Sequence, residues 1–259
     1  MEKNLIFYFS TSGNSLYIAK EIYKPLKDAK IISIVDAFYK KDFNYKAESI
    51  GFIYPIYASG LPPMVEDFIS NLNINKDCYI YAAECTGGGI GISFFMINKI
   101  LFKKGLSLYN GEKFLLNSNY IRFGRNPKGE EEAKAIIDSN KLKLENFIIS
   151  IINRESKNLK EKNIRINLIL YNLWKNSFKN KDKSFNINEF CTACGVCVKI
   201  CPNKNIDIID ERPIWKGNCC DCMGCINNCP HKCINIGKKT KKKNRYKNPY
   251  ILTSELLRK

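Results

Sequence analysis

Through its first 105 residues the chain alternates nearly continuous apolar runs with segments whose apolar positions recur every three or four residues. NLIFYFS (4–10), KIISIV (30–35), SIGFIYPIY (49–57) and CYIYAAE (78–84) have the length of strands. Between them Ser15 to Lys24, Pro63 to Leu72 and Ile90 to Lys104 carry helical spacing, the first ended by Pro25. Strands apolar on both sides must be buried on both faces, and intervening helices join strands in parallel, so the pattern predicts a doubly wound α/β sheet. Helical spacing returns at Glu130 to Arg154 and at Glu161 to Phe178. The first is expected to cover the sheet as its last helix. The second, with Leu168, Leu173 and Trp174, is expected to brace the sheet against the C-terminal part of the chain, and KNKDKSFN (179–186) reads as a linker.

In such a sheet a ligand sits beyond the carboxyl ends of the strands. After the first strand comes STSGNS, Ser10, Thr11, Ser12, Gly13, Asn14 and Ser15, whose hydroxyls and backbone N–H groups lead into a helix and suit a phosphate. It has neither the lysine of a Walker loop nor the glycine spacing of a dinucleotide loop. After the third strand Pro55, Ile56, Tyr57 and Ala58 present an aromatic, and after the fourth Cys85, Thr86, Gly87 and Gly88 present a glycine-rich backbone. A phosphate cradle, a flat ring and a close-approaching backbone describe a site for a planar phosphorylated cofactor. Cys85 itself reads as a small buried residue.

The pattern changes after residue 190, where ten of the twelve cysteines fall between Cys191 and Cys233. The opening MEKNLIFYFSTSGNS carries no export signal, and FIISII and INLILY fall short of the ~18 apolar residues a membrane span needs. A cytoplasmic chain with reduced thiols serving as ligands is therefore expected. Cys191, Cys194, Cys197 and Cys201 follow C-x2-C-x2-C-x3-C with Pro202 next, and Cys219, Cys222, Cys225 and Cys229 repeat it with Pro230 next. Ile206 and Ile208 recur as Ile234 and Ile236. Zinc is normally held by two C-x2-C pairs across a longer loop, whereas three short-spaced thiolates plus a distant Cys-Pro suit a 4Fe-4S cubane. The duplicated run resembles that of two-cluster ferredoxins, in which the fourth cysteine ligates the other cluster. This implies one set of Cys191, Cys194, Cys197 and Cys229 and another of Cys219, Cys222, Cys225 and Cys201. Cys220 and Cys233 align with non-ligand positions and read as packing residues, and His231, the one histidine, as an exposed side chain.

FYFSTSGNSLYIAK resembles the FMN-phosphate loop of flavodoxins, with Ser12 where threonine is common, and GFIYPIYASGLPPMVEDFI and ECTGGG resemble the two loops that hold the flavin ring. With the cysteine motif behind them, the chain resembles the EFR-type ferredoxins, flavodoxin–ferredoxin fusion proteins, over residues 3 to about 105 and 185 to about 250. The resemblance implies a flavodoxin-like FMN domain (1–155), a helical connector and linker (156–184), a small α+β two-cluster domain (185–237) and a basic tail (238–259). It also implies an electron-transfer iron–sulfur flavoprotein carrying FMN and two 4Fe-4S clusters. The alternative is an FMN-dependent reductase of a small molecule fed by its own ferredoxin domain.

Charge adjusts this picture. The chain carries +17, divided as +2 over residues 1–110, +6 over 111–190 and +9 over 191–259. Two clusters and bound FMN would offset about six of these charges. Lys238 to Lys247 still place seven Lys or Arg in ten positions, which suits acidic redox partner proteins or an anionic membrane. No nucleic-acid-binding motif accompanies the charge.

Overall fold

Strand β1 (Asn4–Tyr8) sends Leu5 and Phe7 to one side and Ile6 to the other, and all three are buried. The computed structural model describes residues 3–89, 91–122, 124–177 and 180–258. In it β1 is followed by α1 (Asn14–Tyr23), β2 (Ala29–Ser33), α2 (Ile34–Lys40), β3 (Asn44–Tyr45), β4 (Ser49–Pro55), α3 (Pro63–Asn71), β5 (Asn73–Ile74), β6 (Tyr79–Thr86), α4 (Ser93–Phe102) and β7 (Asn110–Leu115). The two-residue strands β3 and β5 pair only with each other. The remaining five form one parallel sheet ordered β2-β1-β4-β6-β7. Counting only its own strands that order is 2-1-3-4-5, with the switch point between β1 and β4. The fold is flavodoxin-like.

One face of the sheet is filled by Phe7, Phe52, Phe68 and Ile97, the other by Ile6, Ile18, Ile53, Tyr81 and Phe147. Gly51 is required by this packing, because a Cβ there would lie 2.3 Å from the buried Tyr81 ring. Two expectations are corrected. The run KIISIV stops being strand at Ser33, whose Oγ accepts from the Asp36 N–H and caps α2. The helix expected over 130–154 is two, α5 (Glu130–Ser139) and α6 (Lys141–Ile152), divided at Asn140, whose Nδ2 donates to the carbonyls of Leu115 and Ile136. α7 (Ile164–Asn176) matches the second expected helix. Ile90, Phe178 and Lys179, on which parts of the expected helices and linker fall, lie outside the described residues.

The C-terminal part holds β8 (Phe185–Ile187), α8 (Val196–Ile200), β9 (Ile206–Ile209), β10 (Arg212–Trp215), α9 (Gly224–Asn228) and β11 (Ile234–Ile236). β8 pairs antiparallel with β11, and β9 with β10. α8 and α9 start 28 residues apart, as do β9 and β11, so the duplication in sequence is a duplication in structure. Ile200, Ile206, Met223, Ile226 and Ile234 form its core, which continues through Leu16 and Tyr17 onto α1. The basic tail, 238–259, is folded back on the chain. Tyr246, Asn248, Ile251 and Leu256 are buried, Lys243 Nζ donates to the Ile121 carbonyl, and Arg245 donates to Ile234 and Asn235.

Candidate functional site

The three loops at the carboxyl ends of β1, β4 and β6 surround a cavity of about 610 Å³. Ser12, Asn14, Pro55, Ile56, Tyr57, Ala58, Cys85, Thr86, Gly87 and Gly88 all line it. Ser10 and Thr11 line a smaller hollow beside Arg258, while Gly13 and Ser15 line neither. The remaining wall comes from Asn117, Ser118, Asn119 and Tyr120 after β7, Arg125, Trp174 on α7, and Asp221 and Cys222. Sequence reasoning places none of these at the cavity. It makes Trp174 a brace and Cys222 a cluster ligand, and the others carry no local signal.

Local geometry explains the loops. Tyr57 and Gly60 exchange both backbone hydrogen bonds (3.0 and 2.9 Å) around Ala58 and Ser59, which take φ of 44° and 73°. Two consecutive positive φ values at residues with side chains cost about 1–2 kcal/mol each, the kind of strain that sites retain. The turn is held from outside by α7. A Cβ on Gly60 would lie 2.5 Å from the Tyr171 ring, and Tyr171 Oη donates to the Leu61 carbonyl at 2.8 Å. Tyr57 stands edge-on to Trp174, 6.0 Å between centroids, and its hydroxyl stays protonated because burial and the nearby Cys222 raise its pKa well above the usual value. Gly88 and Gly89, with φ of 107° and 127°, leave the backbone of the opposite loop uncovered.

The phosphate-type loop is enclosed by the chain's own C-terminal part. Gly13 takes φ +93° at the start of α1, and its N–H donates to Ser10 Oγ at 3.0 Å. Asn14 Oδ1 accepts from Tyr246 Oη (2.7 Å) and Asn248 Nδ2 (3.1 Å), while its Nδ2 donates to the Asn117 carbonyl. Ser15 is buried, with its hydroxyl beside the Cys85 thiol. Burial pushes the Cys85 thiol up to about 12, so it is a packing thiol and not a nucleophile.

The eight motif cysteines lie in two runs, one around α8 and one around α9. Cys191, Cys194, Cys197 and Cys229 line one hollow, walled by Val196, Ile208, Pro213 and Ile234. Burial pushes the Cys197 thiol up to about 11, followed by the charges of Cys194, Cys229 and Cys191. Burial raises the Cys225 pKa, and the charges of Cys222, Cys201, Cys219 and Cys197 add to it. Backbone N–H groups point at the sulfurs in both runs: Asn205 to Cys201 (3.4 Å) and Cys233 to Cys229 (3.3 Å), equivalent positions of the repeat, with Asp221 to Cys219 (3.3 Å) and Gly224 to Cys222 (3.5 Å). Cys220 is buried, as expected of a packing residue, and its thiol beside Cys222 lowers the pKa of that neighbour. His231 is exposed at the rim of the first hollow. Among the described residues no group of three or more His, Cys, Asp or Glu converges as a single metal ion would require.

Cys222, a member of the second cysteine run, also lines the large cavity. Its carbonyl accepts from Thr11 Oγ1 (3.3 Å) and Asn119 Nδ2 (3.0 Å). Beside it Asp221, whose side chain is 0% exposed, takes Arg122 Nε at 2.6 Å and Tyr120 Oη at 2.9 Å.

No family model and no curated protein matches the chain. Solved structures show faint likenesses. A flavoprotein from Lactobacillus acidophilus in complex with FMN is 14% identical over 44% of this chain and 93% of its own, with a TM-score of 0.33. An FMN-dependent NADH-azoreductase from Bacillus anthracis is 11% identical over 58% and 99%, with a TM-score of 0.38. Rubredoxin oxygen:oxidoreductase from Desulfovibrio gigas is 14% identical over 60% and 37%, also at 0.38. Likenesses this weak carry no argument about ligand or activity, and the fold rests on the strand order itself.

Proposed function

We propose that the chain is an electron-transfer iron–sulfur flavoprotein, with FMN in the 610 Å³ cavity and two 4Fe-4S clusters on the two thiol groups. The observation that carries this reading is Cys222, a cysteine of the duplicated motif that also lines the cavity wall. Bound there, FMN would supply one- and two-electron chemistry and each cluster one-electron chemistry. The cavity is of the size that small-ligand sites have. Ser12 and Asn14 at the start of α1 suit the phosphate, and Tyr57 and the bare backbone at Gly88 and Gly89 suit a flat ring. The four N–H groups aimed at cysteine sulfurs would favour added negative charge there and so set potential. Buried thiols with raised pKa favour ionisation only against a cation, which bound iron would supply. Anaerobically prepared protein is expected to contain about eight iron, eight acid-labile sulfide and one FMN per chain. Stoichiometric zinc without sulfide would end the proposal.

A second reading, a flavin-dependent reductase, is favoured by a neighbouring cavity of about 590 Å³. It shares Gly87, Asn117, Ser118, Tyr120 and Arg125 with the first and adds an apolar wall of Leu115, Leu116 and Ile136. Turnover of a small acceptor that persists after cluster loss, in protein still carrying flavin, would favour it.

A further inference from the structure

α7 is apolar around more of its circumference than the fold covers. Tyr171, Leu168 and Trp174 pack inward, while Ile166, Ile169, Leu170 and Leu173 stand 62%, 61%, 54% and 63% exposed. Offsets of three, four and seven residues stack these four side chains in one stripe. Together they present on the order of 450 Å² of aliphatic surface, the size of patch that on a monomer is usually functional.

The segment that carries the stripe is cationic, with Lys175 paired to Glu66 of α3 at 2.6 Å and Glu155 and Glu189 exposed just beyond its two ends. Residues 156–188 contain eight Lys or Arg and two acids. Both acids are turned inward. Glu161, its side chain 1% exposed, pairs with Lys113 at 2.9 Å and accepts from the Phe95 N–H, and Asp182 accepts from Asn205 Nδ2 and the Gly217 N–H. Lys160, Lys162 and Arg165 are exposed at the start of the helix, and Lys183 beyond its end.

We propose that this face docks the protein on an anionic lipid bilayer, with α7 parallel to the surface, its four aliphatic side chains at the headgroup boundary and the flanking cations among the headgroups. The inference is independent of the flavin and cluster assignments. Composition favours lipid over a protein partner, because protein interfaces are centred on Trp, Tyr, Met or Arg and are poor in Lys. It also disfavours a second copy. Two such faces would bring their cationic rims together, and about 450 Å² a side falls short of the roughly 800 Å² of a stable dimer. At 13 residues α7 is too short to span a bilayer, and no described helix is long and apolar enough to do so.

Co-sedimentation of the full chain with phosphatidylcholine vesicles, with and without phosphatidylglycerol, tests this. Binding is expected to be at least about tenfold tighter with phosphatidylglycerol and to weaken with salt. Ile169→Glu/Leu173→Glu should reduce that binding about tenfold or more while leaving far-UV circular dichroism and the thermal midpoint in place, since both residues are exposed. Lys160→Gln/Lys162→Gln should reduce it severalfold and flatten the salt dependence. No binding to the anionic vesicles would overturn the proposal. So would undiminished binding in Ile169→Glu/Leu173→Glu, which would assign the attraction to charge elsewhere, such as 238–247. A concentration-dependent dimer in gel filtration, abolished by the same variant, would give the face to a second copy instead.

Discussion

Replacing Gly13 by alanine tests the closure of the phosphate-type loop by the C-terminal part. Two costs add. The backbone sits at φ +93°, where a side chain costs about 1–2 kcal/mol, and the new Cβ would lie 2.9 Å from Asn248 Cβ and 3.1 Å from Ile251 Cβ, an overlap worth about 1–3 kcal/mol in a packed region. Gly13→Ala is therefore expected to lower stability by about 2–5 kcal/mol. Only the second cost depends on position 248. In an Asn248→Gly background, which itself loses the 3.1 Å bond to Asn14 at about 1 kcal/mol, the same substitution should cost only the backbone term plus contact with Ile251. Urea unfolding of the four proteins in the cycle gives the coupling, expected at about 1–2 kcal/mol. Flavin titration of each variant reports whether the loop holds the cofactor. A coupling of zero would mean that the C-terminal segment does not press on the loop in solution, and that the loop is not enclosed by it.

Three further outcomes are expected. Arg122→Met leaves the buried Asp221 carboxylate without its 2.6 Å partner and should cost about 3–5 kcal/mol in urea unfolding, whereas a loss below 1 kcal/mol would mean the pair is solvated. Burial raises the Glu84 pKa above its usual value despite Lys113, so its native state binds the proton more tightly. Stability linked to it is full below about pH 4.5 and is lost as pH rises through the folded pKa, and Glu84→Gln should flatten that fall; an unchanged slope would refute the assignment. On the cross-shared cysteine sets, Cys229→Ser and Cys201→Ser should each alter a different one of two electron paramagnetic resonance signals in reduced protein, and identical spectra from both variants would refute the pairing.

Legibility of the sequence divides along physical lines. β1, β4 and β6 were legible because both faces are buried and the residues are apolar without interruption. β7, NGEKFL, was missed because an edge strand buries only part of itself and can carry Glu112 and Lys113. α2 was hidden because Ile34 and Val35 extend an apolar run, and only the cap at Ser33 turns them into helix. The duplication around α8 and α9 was legible as cysteine spacing, since each run repeats the other at an offset of 28 residues. The far wall of the cavity was not. Asn117 to Tyr120, Trp174 and Asp221 reach it from separate elements, and no local periodicity marks a residue brought in by tertiary packing. The packing of 238–247 was hidden for a related reason, because Lys243 and Arg245 spend donors on backbone carbonyls of neighbouring segments.

The arrangement changes what the fusion of two modules means. A flexible tether would raise the concentration of one redox centre at the other only to the millimolar range, leaving a search at every transfer. Here the expected linker is structured instead. Lys181–Ser184 form a 3-10 turn whose Asp182 is buried against Asn205 and Gly217, and Phe185 begins β8. Cys222 is fixed from two sides of the cavity at once, by Thr11 of the first loop and Asn119 of the last, and Asn228 Nδ2 returns to the Thr11 carbonyl at 2.9 Å. A shift of either loop must therefore move the cysteine that borders it. On the proposed function, the distance between flavin and nearer cluster is set by packing and not by diffusion, so linker length drops out of the rate and the buried contacts around Cys222 take its place.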